Sequence, residues 1–340
     1  MRILMTGATG FVGTTTVPML LEAGHQLRLL LRQPDRLAKS WRDHPQVEWV
    51  QGAMDRPESL DGICRGVDAV LHVAGVLCPK RSREFLPVNV EGTRHLAQDC
   101  RQQAPKARFV LISSLAASGP GRPRRDQDPA QPVSAYGHSK LAGEQALAAA
   151  GLEDWVVLRP PAVYGPGDDG FLPYFQSAAS GMPMLIPAGG TAHLSMIHVR
   201  DLAAAMKAAL ECPRPLAGPR LHVCHPEEVG LESLLAGIAA AVGRPCRTLP
   251  VPFPVVRALA GLVSPWRLLT GKPKYLSLDK VRELRQPAWC CDPSGAAKLL
   301  GWKAEIDVES GLLETARAYV QMGALKLRGE APWSQAAANS

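Results

Sequence analysis

The chain has 340 residues, 46% of them hydrophobic and 20% charged, so it exceeds a single average domain and can fill a real core, as a globular enzyme does. Its net charge of +7 is scattered, densest at Lys80-Arg81-Ser82-Arg83 and Arg122-Pro123-Arg124-Arg125; these read as loops near an anionic cofactor or solvent, and no nucleic-acid partner is expected. Eight cysteines without a C-x-x-C pair indicate neither zinc nor a disulfide framework, and with no leader at Met1 and no apolar run of about 18 residues the expected location is the cytoplasm, without a membrane span.

Ile3-Leu4-Met5 reads as a strand that runs through Thr6-Gly7-Ala8-Thr9-Gly10-Phe11-Val12-Gly13 into a helical stretch ending at Ala23, with Gly24 as its stop signal. Gly7, Gly10 and Gly13 permit a tight turn, let backbone amides approach a pyrophosphate and let the helix pack closely on the strand, while the helix N-terminus favours phosphate charge. A dinucleotide is expected there. The next strand, Gln26 to Leu31, ends in Arg32, where a carboxylate to the ribose would indicate NAD. A guanidinium suits a ribose phosphate instead, so NADP(H) is the expected preference, with NAD(H) the alternative and Arg36 a helper.

Strand-like runs at 47–50, 68–73, 108–113 and 155–159 alternate with helical stretches, the pattern of an α/β doubly wound parallel sheet of the Rossmann type. Residues 1–165 form the expected dinucleotide-binding domain, with 196–225 returning to it. A smaller, mostly helical C-terminal substrate-binding region takes 166–195 and 226–325, with helical stretches near 201–211, 231–242, 254–263, 277–285, 294–300 and 309–322. The tail 326–340 is small and polar apart from Trp333, and disorder is expected there.

Phe109-Val110-Leu111-Ile112-Ser113-Ser114 reads as a buried strand that ends in two serines, at the carboxyl edge of the sheet where the crevice lies. Tyr136 and Lys140 are spaced i, i+4 and share one helix face. An ammonium beside a tyrosine favours the tyrosinate and pulls its pKa below about 10, so the hydroxyl can exchange a proton near neutral pH. His138 points away from both on such a helix. His72, His193 and His198 show no ligand spacing, no metal is implied, and Asp168 and Asp169 read as turn residues.

These motifs, with Asn89-Val90-Glu91-Gly92-Thr93, Ser113-Ser114-Leu115-Ala116-Ala117-Ser118-Gly119, Leu158-Arg159-Pro160-Pro161-Ala162-Val163-Tyr164-Gly165-Pro166-Gly167, Ile197-His198-Val199-Arg200-Asp201 and Leu300-Gly301-Trp302, follow one another in a fixed order. The chain resembles the extended short-chain dehydrogenase/reductases, the NAD(P)-dependent epimerase/dehydratase family, from Met1 to about Tyr319. The resemblance implies that Tyr136 is the general acid/base, that Lys140 binds the nicotinamide ribose and lowers the tyrosine pKa, and that Ser114 hydrogen-bonds the reacting oxygen. In reduction, hydride would pass to the carbonyl carbon while Tyr136 supplies the proton. It further implies cofactor contacts from Thr9, Phe11, Val12, Met54, Ala74, Asn89, Ser113 and Pro160, besides the glycines and Arg32, and a homodimer as the assembly many relatives form.

The same scaffold reduces ketones, epimerises sugars and eliminates water, so departures from the family pattern decide between reactions. Dehydratases carry an acid just after the catalytic serine or threonine, where this chain has Leu115 and Ala116. Epimerases commonly place an arginine before the Ile197 strand, where this chain has Leu194. The acidic contact to adenine after the third strand is replaced in Gln51-Gly52-Ala53-Met54, leaving packing against Met54. Phe171 to Phe175, Met182 to Pro187 and Val251 to Val256 offer apolar walls, and the resemblance is nearest the hydroxysteroid dehydrogenase-like and dihydroflavonol reductase-like branches. The expected activity is therefore NADP(H)-dependent interconversion of a carbonyl and a secondary alcohol on an apolar small molecule. The alternatives are a nucleotide-sugar epimerase with bound NAD and a non-catalytic sensor or assembly subunit. Val255 to Leu269 reads as a core helix, with a lid or a membrane-surface helix as the other readings.

Overall fold

A computed structural model of the protein describes residues 1–77, 84–261, 277–327 and 333 in full and 262–270 as backbone. The Lys80 to Arg83 group and the tail from Arg328, Trp333 excepted, lie outside the described residues. Seven parallel strands form the main sheet among the described residues: β1 (Arg2–Thr6), β2 (Gln26–Leu31), β3 (Val47–Gln51), β4 (Ala69–His72), β5 (Arg108–Ile112), β6 (Trp155–Arg159) and β7 (Ala217–His222). Their order is β7-β6-β5-β4-β1-β2-β3. This is the doubly wound order with one added edge strand, and it reverses direction between β1 and β4, where ligands of such sheets bind beyond the carboxyl ends.

Alternation along each strand explains why both faces are covered. Ile3 and Met5 of β1, Val110 and Ile112 of β5, and Val156 and Leu158 of β6 pack on one face with Val17 and Leu20 of α1 (Phe11–Glu22) and with the helix Val199–Glu211. Leu4, Phe109, Leu111 and Val157 pack on the other face with Leu96 and Ala97 of α2 (Thr93–Gln103) and with Leu147 of α3 (Ala135–Ala148). Side chains two apart share a face, so a strand buried on both sides is apolar along its middle, as these are, with Thr6, Arg108 and Arg159 confined to their ends. A third core joins Tyr164, Phe175, Met184, Met196, Leu235, Leu312 and Tyr319, built from the helices Leu172–Ser180, Leu231–Ala241 and Val308–Gln321.

Several elements differ from the sequence expectation. The strand β7 lies outside the strand-like runs read from the sequence; it holds Pro219, and an edge strand tolerates a proline that has no N–H to donate. The Arg122 group is not a loop: Gly121–Arg124 is the edge of a four-stranded sheet with Ala288–Cys291, His193–Leu194 and Val229–Gly230. There Arg122 pairs with Glu228 at 2.7 Å, and Arg124 donates to the carbonyls of Ser118 and Pro129. The helix expected to end near residue 263 runs as Phe253–Thr270. Among the described residues no helix is long and apolar enough to cross a membrane.

One buried ion pair fastens α3 to the sheet. Arg159, the last residue of β6, donates to both oxygens of Glu144 at 2.9 and 2.6 Å. Both side chains are almost entirely removed from water, at 3% and 0% exposure. The remaining capacity is filled: Ser113 donates to Glu144 at 2.5 Å, and Arg159 donates to Ser118 Oγ at 2.8 Å. Ser118 Oγ also lies 2.8 Å from His222 Nε2, and His222 Nδ1 lies 2.8 Å from Asp126. Glu144 also has Arg220 Nε at 3.3 Å, but that guanidinium is one-third exposed, so removal of Arg159 takes away the buried partner of the carboxylate and leaves only the more solvated one. Arg159→Met is expected to cost about 3–5 kcal/mol in urea unfolding, and the double substitution Glu144→Leu with Arg159→Met to recover at least half of that; equal losses in the single and double variants would refute this account.

Candidate active site

The turn after β1 has the shape a pyrophosphate requires. Gly7 has a φ of +80°, and a Cβ there would stand 2.7 Å from the Ala74 nitrogen; a Cβ on Gly13 would stand 2.1 Å from the Gly7 carbonyl oxygen. Any side chain at either position would separate β1 from the strand end beside it or push α1 off the turn. Gly10 caps α1 with no side-chain hydrogen bond, so the first-turn N–H groups of Phe11, Val12 and Gly13 are left for an anion. The residues therefore fit a dinucleotide. Thr9 sits half-buried within this turn, and the Phe11 ring lies beside Gly167 of the loop after β6.

A chain of buried hydrogen bonds spans the switch point. The Ala74 N–H donates to Thr6 Oγ1 at 3.1 Å, and Thr6 stands 2.7 Å from His72 Nδ1. His72 Nε2 lies 3.0 Å from Thr93 Oγ1, which gives its proton to the Asn89 carbonyl at 3.0 Å. Because Thr93 spends its proton there, it accepts from His72, so His72 carries its proton on Nε2 and accepts from Thr6. Asn89 lies in the widened π-helical turn Leu86–Gly92; its amide bridges both backbone groups of Val76 at 2.8 and 3.0 Å and donates to Ser139 Oγ at 3.0 Å. Ser139 in turn donates to the carbonyl of Tyr136 at 2.7 Å. No sequence spacing links Thr6, His72, Thr93 and Ser139; only the parallel register that sets Thr6 beside His72 does.

Ser114 follows β5 and caps the short helix Leu115–Ser118, its Oγ accepting the Ala116 N–H at 3.1 Å. Ser113, by contrast, is buried and spends its hydroxyl on Glu144. Lys140 is buried, and its Nζ donates to the carbonyl of Ile112 at 2.6 Å, which puts the ammonium at the end of the strand that delivers the two serines. Burial brings Lys140 down to about 8, with the Glu144 carboxylate opposing the shift. Tyr136, one turn earlier, is half-buried, and its ring leans on Phe85 with centroids 5.9 Å apart. His138 is exposed. The N-terminus of α3 is held from a distance: Asp279 accepts from the N–H groups of Ala135 and Tyr136 at 2.7 and 3.2 Å, and Ser134 donates to Glu283 at 2.7 Å. These carboxylates neutralise the positive end of the helix that carries Tyr136.

Arg32 is exposed at the carboxyl end of β2, and among the described residues neither its guanidinium nor that of Arg36 has a hydrogen bond or ion pair. Met54 is buried after β3 and, with Asp55, Leu86 and Glu91, borders a cavity of about 260 Å³. Pro160 is buried after β6, its carbonyl accepting the Leu115 N–H at 2.8 Å. Asp168 accepts two backbone N–H groups, from Gly170 and Phe171, both at 2.8 Å, as a turn residue does. The expected apolar walls are corrected in part. Phe175 belongs to the third core, whereas Met182, Leu185 and Val255 face water at 61%, 53% and 47% exposure. Among the described residues no cluster of His, Cys, Asp or Glu could hold a metal.

Comparison with known proteins agrees with this geometry. The model of the NAD dependent epimerase/dehydratase family matches residues 3–223, and the chain belongs to that family. It is 35% identical to the ceramide reductase of Caulobacter vibrioides over 94% of this chain and 95% of the relative. It is 27% identical to a 4-hydroxy-2-methyl-3-oxo-4-farnesyl-3,4-dihydroquinoline-1-oxide ketoreductase of Stigmatella aurantiaca, over 92% and 95%. The solved UDP-glucuronic acid 4-epimerase of Bacillus cereus, in complex with UDP-glucuronic acid and NAD, superposes with a TM-score of 0.77 at 20% identity, over 95% of this chain and all of that one, and shares the fold. The protein is thus an NAD(P)-dependent oxidoreductase of the extended short-chain type.

Burial, reinforced by the Lys140 charge, brings His72 down to about 3. The folded imidazole stays neutral while an unfolded one takes a proton below about 6.5, so the unfolded state binds more protons and stability falls as pH drops from about 6.5 towards 3, by at most about 1.4 kcal/mol per pH unit. Urea-unfolding free energies measured across that window are expected to show this slope in the wild type and to show less of it in His72→Asn, where His198, brought down to about 4 by burial and the Arg200 charge, still contributes. A His72 ring that titrates near its ordinary value by NMR would exclude the neutral bridge.

Proposed function

We propose that the protein interconverts a ketone and a secondary alcohol on an apolar, lipid-like molecule, with NADP(H) as the preferred cofactor and NAD(H) the alternative. The observation that carries this reading is the buried Lys140 ammonium at the Ile112 carbonyl, four residues beyond Tyr136 and at the end of the strand that leads into Ser114. A bound nicotinamide supplies or accepts the hydride. Ser114 orients the reacting oxygen and donates to it as negative charge develops. Tyr136 exchanges the proton at that oxygen, and Lys140, protonated below about 8, favours the tyrosinate and holds the nicotinamide ribose. Gly7, Thr9, Gly10, Phe11, Val12 and Gly13 cradle the pyrophosphate, with Met54, Ala74, Asn89, Ser113 and Pro160 along the cofactor and Arg32 on its ribose phosphate.

An apolar substrate is supported by the names of the two relatives, one acting on ceramide and the other on a farnesylated ketone. The nucleotide-sugar reading lacks its anchor: Leu194, where an arginine is expected, packs against the third core. Leu115 and Ala116, where a dehydratase would need an acid, are buried and apolar. The same reading takes residues 1–165 with 196–225 as the nucleotide-binding part, 166–195 and 226–325 as the substrate-binding part, and the protein as a cytoplasmic homodimer.

Tyr136→Phe is expected to lower turnover of an apolar ketone by roughly 10²–10⁴-fold while NADPH titration by fluorescence stays near wild type. Unchanged turnover would remove Tyr136 from the chemistry, and turnover of UDP-sugars in place of ketones would establish the epimerase. Arg32→Asp is expected to weaken NADPH binding by roughly 10-fold or more, the loss of a charge-assisted contact worth about 1.5–3 kcal/mol, and to shift preference towards NADH. An unaltered NADPH-to-NADH affinity ratio would show that Arg32 does not read the ribose.

A further inference from the structure

In the C-terminal half, the parallel strands Met184–Pro187 and Thr248–Val251 pair with Leu249 opposite Leu185. Both leucines face water, at 49% and 53% exposure, next to Met182. The chain then enters the helix Phe253–Thr270, where Val256 and Ala260 are buried against Val281 while Val255 and Leu259 stay outward. The strand pair and the helix that directly follows it thus each turn large apolar side chains to water, side chains that would ordinarily be inside.

Its charge is one-sided. Asp and Glu occur 31 times in the 340 residues, yet none falls between Gly170 and Arg200 or between Ser233 and Leu278, while Arg244, Arg247, Arg257 and Arg267 fall in the second stretch. Arg247, just before the strand of Leu249, and Arg257, on the helix of Leu259, are both exposed. An amphipathic surface with arginines and no carboxylates complements anionic headgroups above an acyl boundary. It does not suit a second copy of itself: a two-fold contact sets each patch against its own image, bringing arginines together without a carboxylate to meet them.

We propose that this face docks the protein on the surface of an anionic lipid bilayer, with Leu185, Leu249, Val255 and Leu259 in the headgroup boundary and Arg247 and Arg257 on the lipid phosphates. The docked helix lies one element from the chemistry. Val256 and Ala260 pack on Val281 of the helix Leu278–Leu284, and that helix supplies Asp279 and Glu283 to the N-terminus of α3 just before Tyr136. Docking would therefore hold the active site next to the bilayer, a use that rests on the substrate being an apolar ketone, although the docking itself does not.

The test is co-sedimentation of the full chain with vesicles of phosphatidylcholine alone and of phosphatidylcholine with phosphatidylglycerol, alongside light scattering. The protein is expected to pellet with the anionic vesicles and to be released by salt. Leu249→Glu with Leu259→Glu is expected to abolish pelleting, and Arg247→Glu with Arg257→Glu to weaken it by at least about tenfold, with NADPH binding and turnover of a water-soluble ketone unchanged in both. Protein that stays in the supernatant with both vesicle types overturns the proposal, as does a wild-type dimer that Leu249→Glu with Leu259→Glu splits into monomers, which would make the face a self-interface. Pelleting requires no substrate, so anionic-vesicle binding by a protein inactive on ketones would sink the substrate reading and keep the docking, and the converse result would do the opposite.

Discussion

The placement of the chemistry depends on one desolvated ion pair. Glu144 lies one helical turn beyond Lys140, Arg159 closes β6 directly before Pro160, and Ser113, which also binds Glu144, directly precedes Ser114. Three segments meet in that contact, and each carries a candidate site residue on its next turn or next position. A pair with both side chains almost fully out of water has poor tolerance for displacement, because any shift that opens one hydrogen bond exposes an unmatched charge in a medium of low polarisability. The relation between the serine turn and the tyrosine helix is therefore stiff, while Ser114 itself stays half-buried at the crevice.

The two sides of the crevice are polarised differently. On the β1 and β4 side, His72 is neutral and acts as a bridge with a fixed direction, accepting from Thr6 and donating to Thr93. On the β5 side, Lys140 is a buried cation whose nearest acceptor is a neutral carbonyl. The two effects are linked, since the lysine charge is one reason the imidazole remains unprotonated. A buried ammonium at the end of β5, framed by neutral donors and acceptors, is suited to holding negative charge on one substrate oxygen.

What could be read from the chain follows the range of each interaction. The β1 turn and the Tyr136–Lys140 spacing are local, so strand alternation, glycine positions and the helical repeat carry them completely. The carboxylates at the start of α3 are not local: Asp279 stands 144 positions from Ala135, and no pattern near either residue announces the other. Hydropathy also leaves direction undetermined. Met182 to Pro187 and Val251 to Val256 are apolar enough to line a pocket, yet Leu185 and Val255 look outward, because the short strand pair and the helix that follows expose those positions. Arg122 and Arg124 show the opposite case: a dense basic run resembles a solvated loop until Glu228 and the strand Ala288–Cys291 arrive from more than 100 positions away.

The strand β7 has a consequence for how the molecule comes into being. It supplies the outer edge of the main sheet beside β6, yet everything from Pro160 to Leu216, including a helix of the third core, is synthesised between them. Its last residue, His222, also terminates the hydrogen-bond chain that begins at Glu144 and passes through Arg159 and Ser118. In a nascent chain the hydrogen-bond network around the Glu144–Arg159 pair cannot be complete until residue 222 has emerged, so the nucleotide-binding half can reach its finished form only after the segment 160–216 has been synthesised.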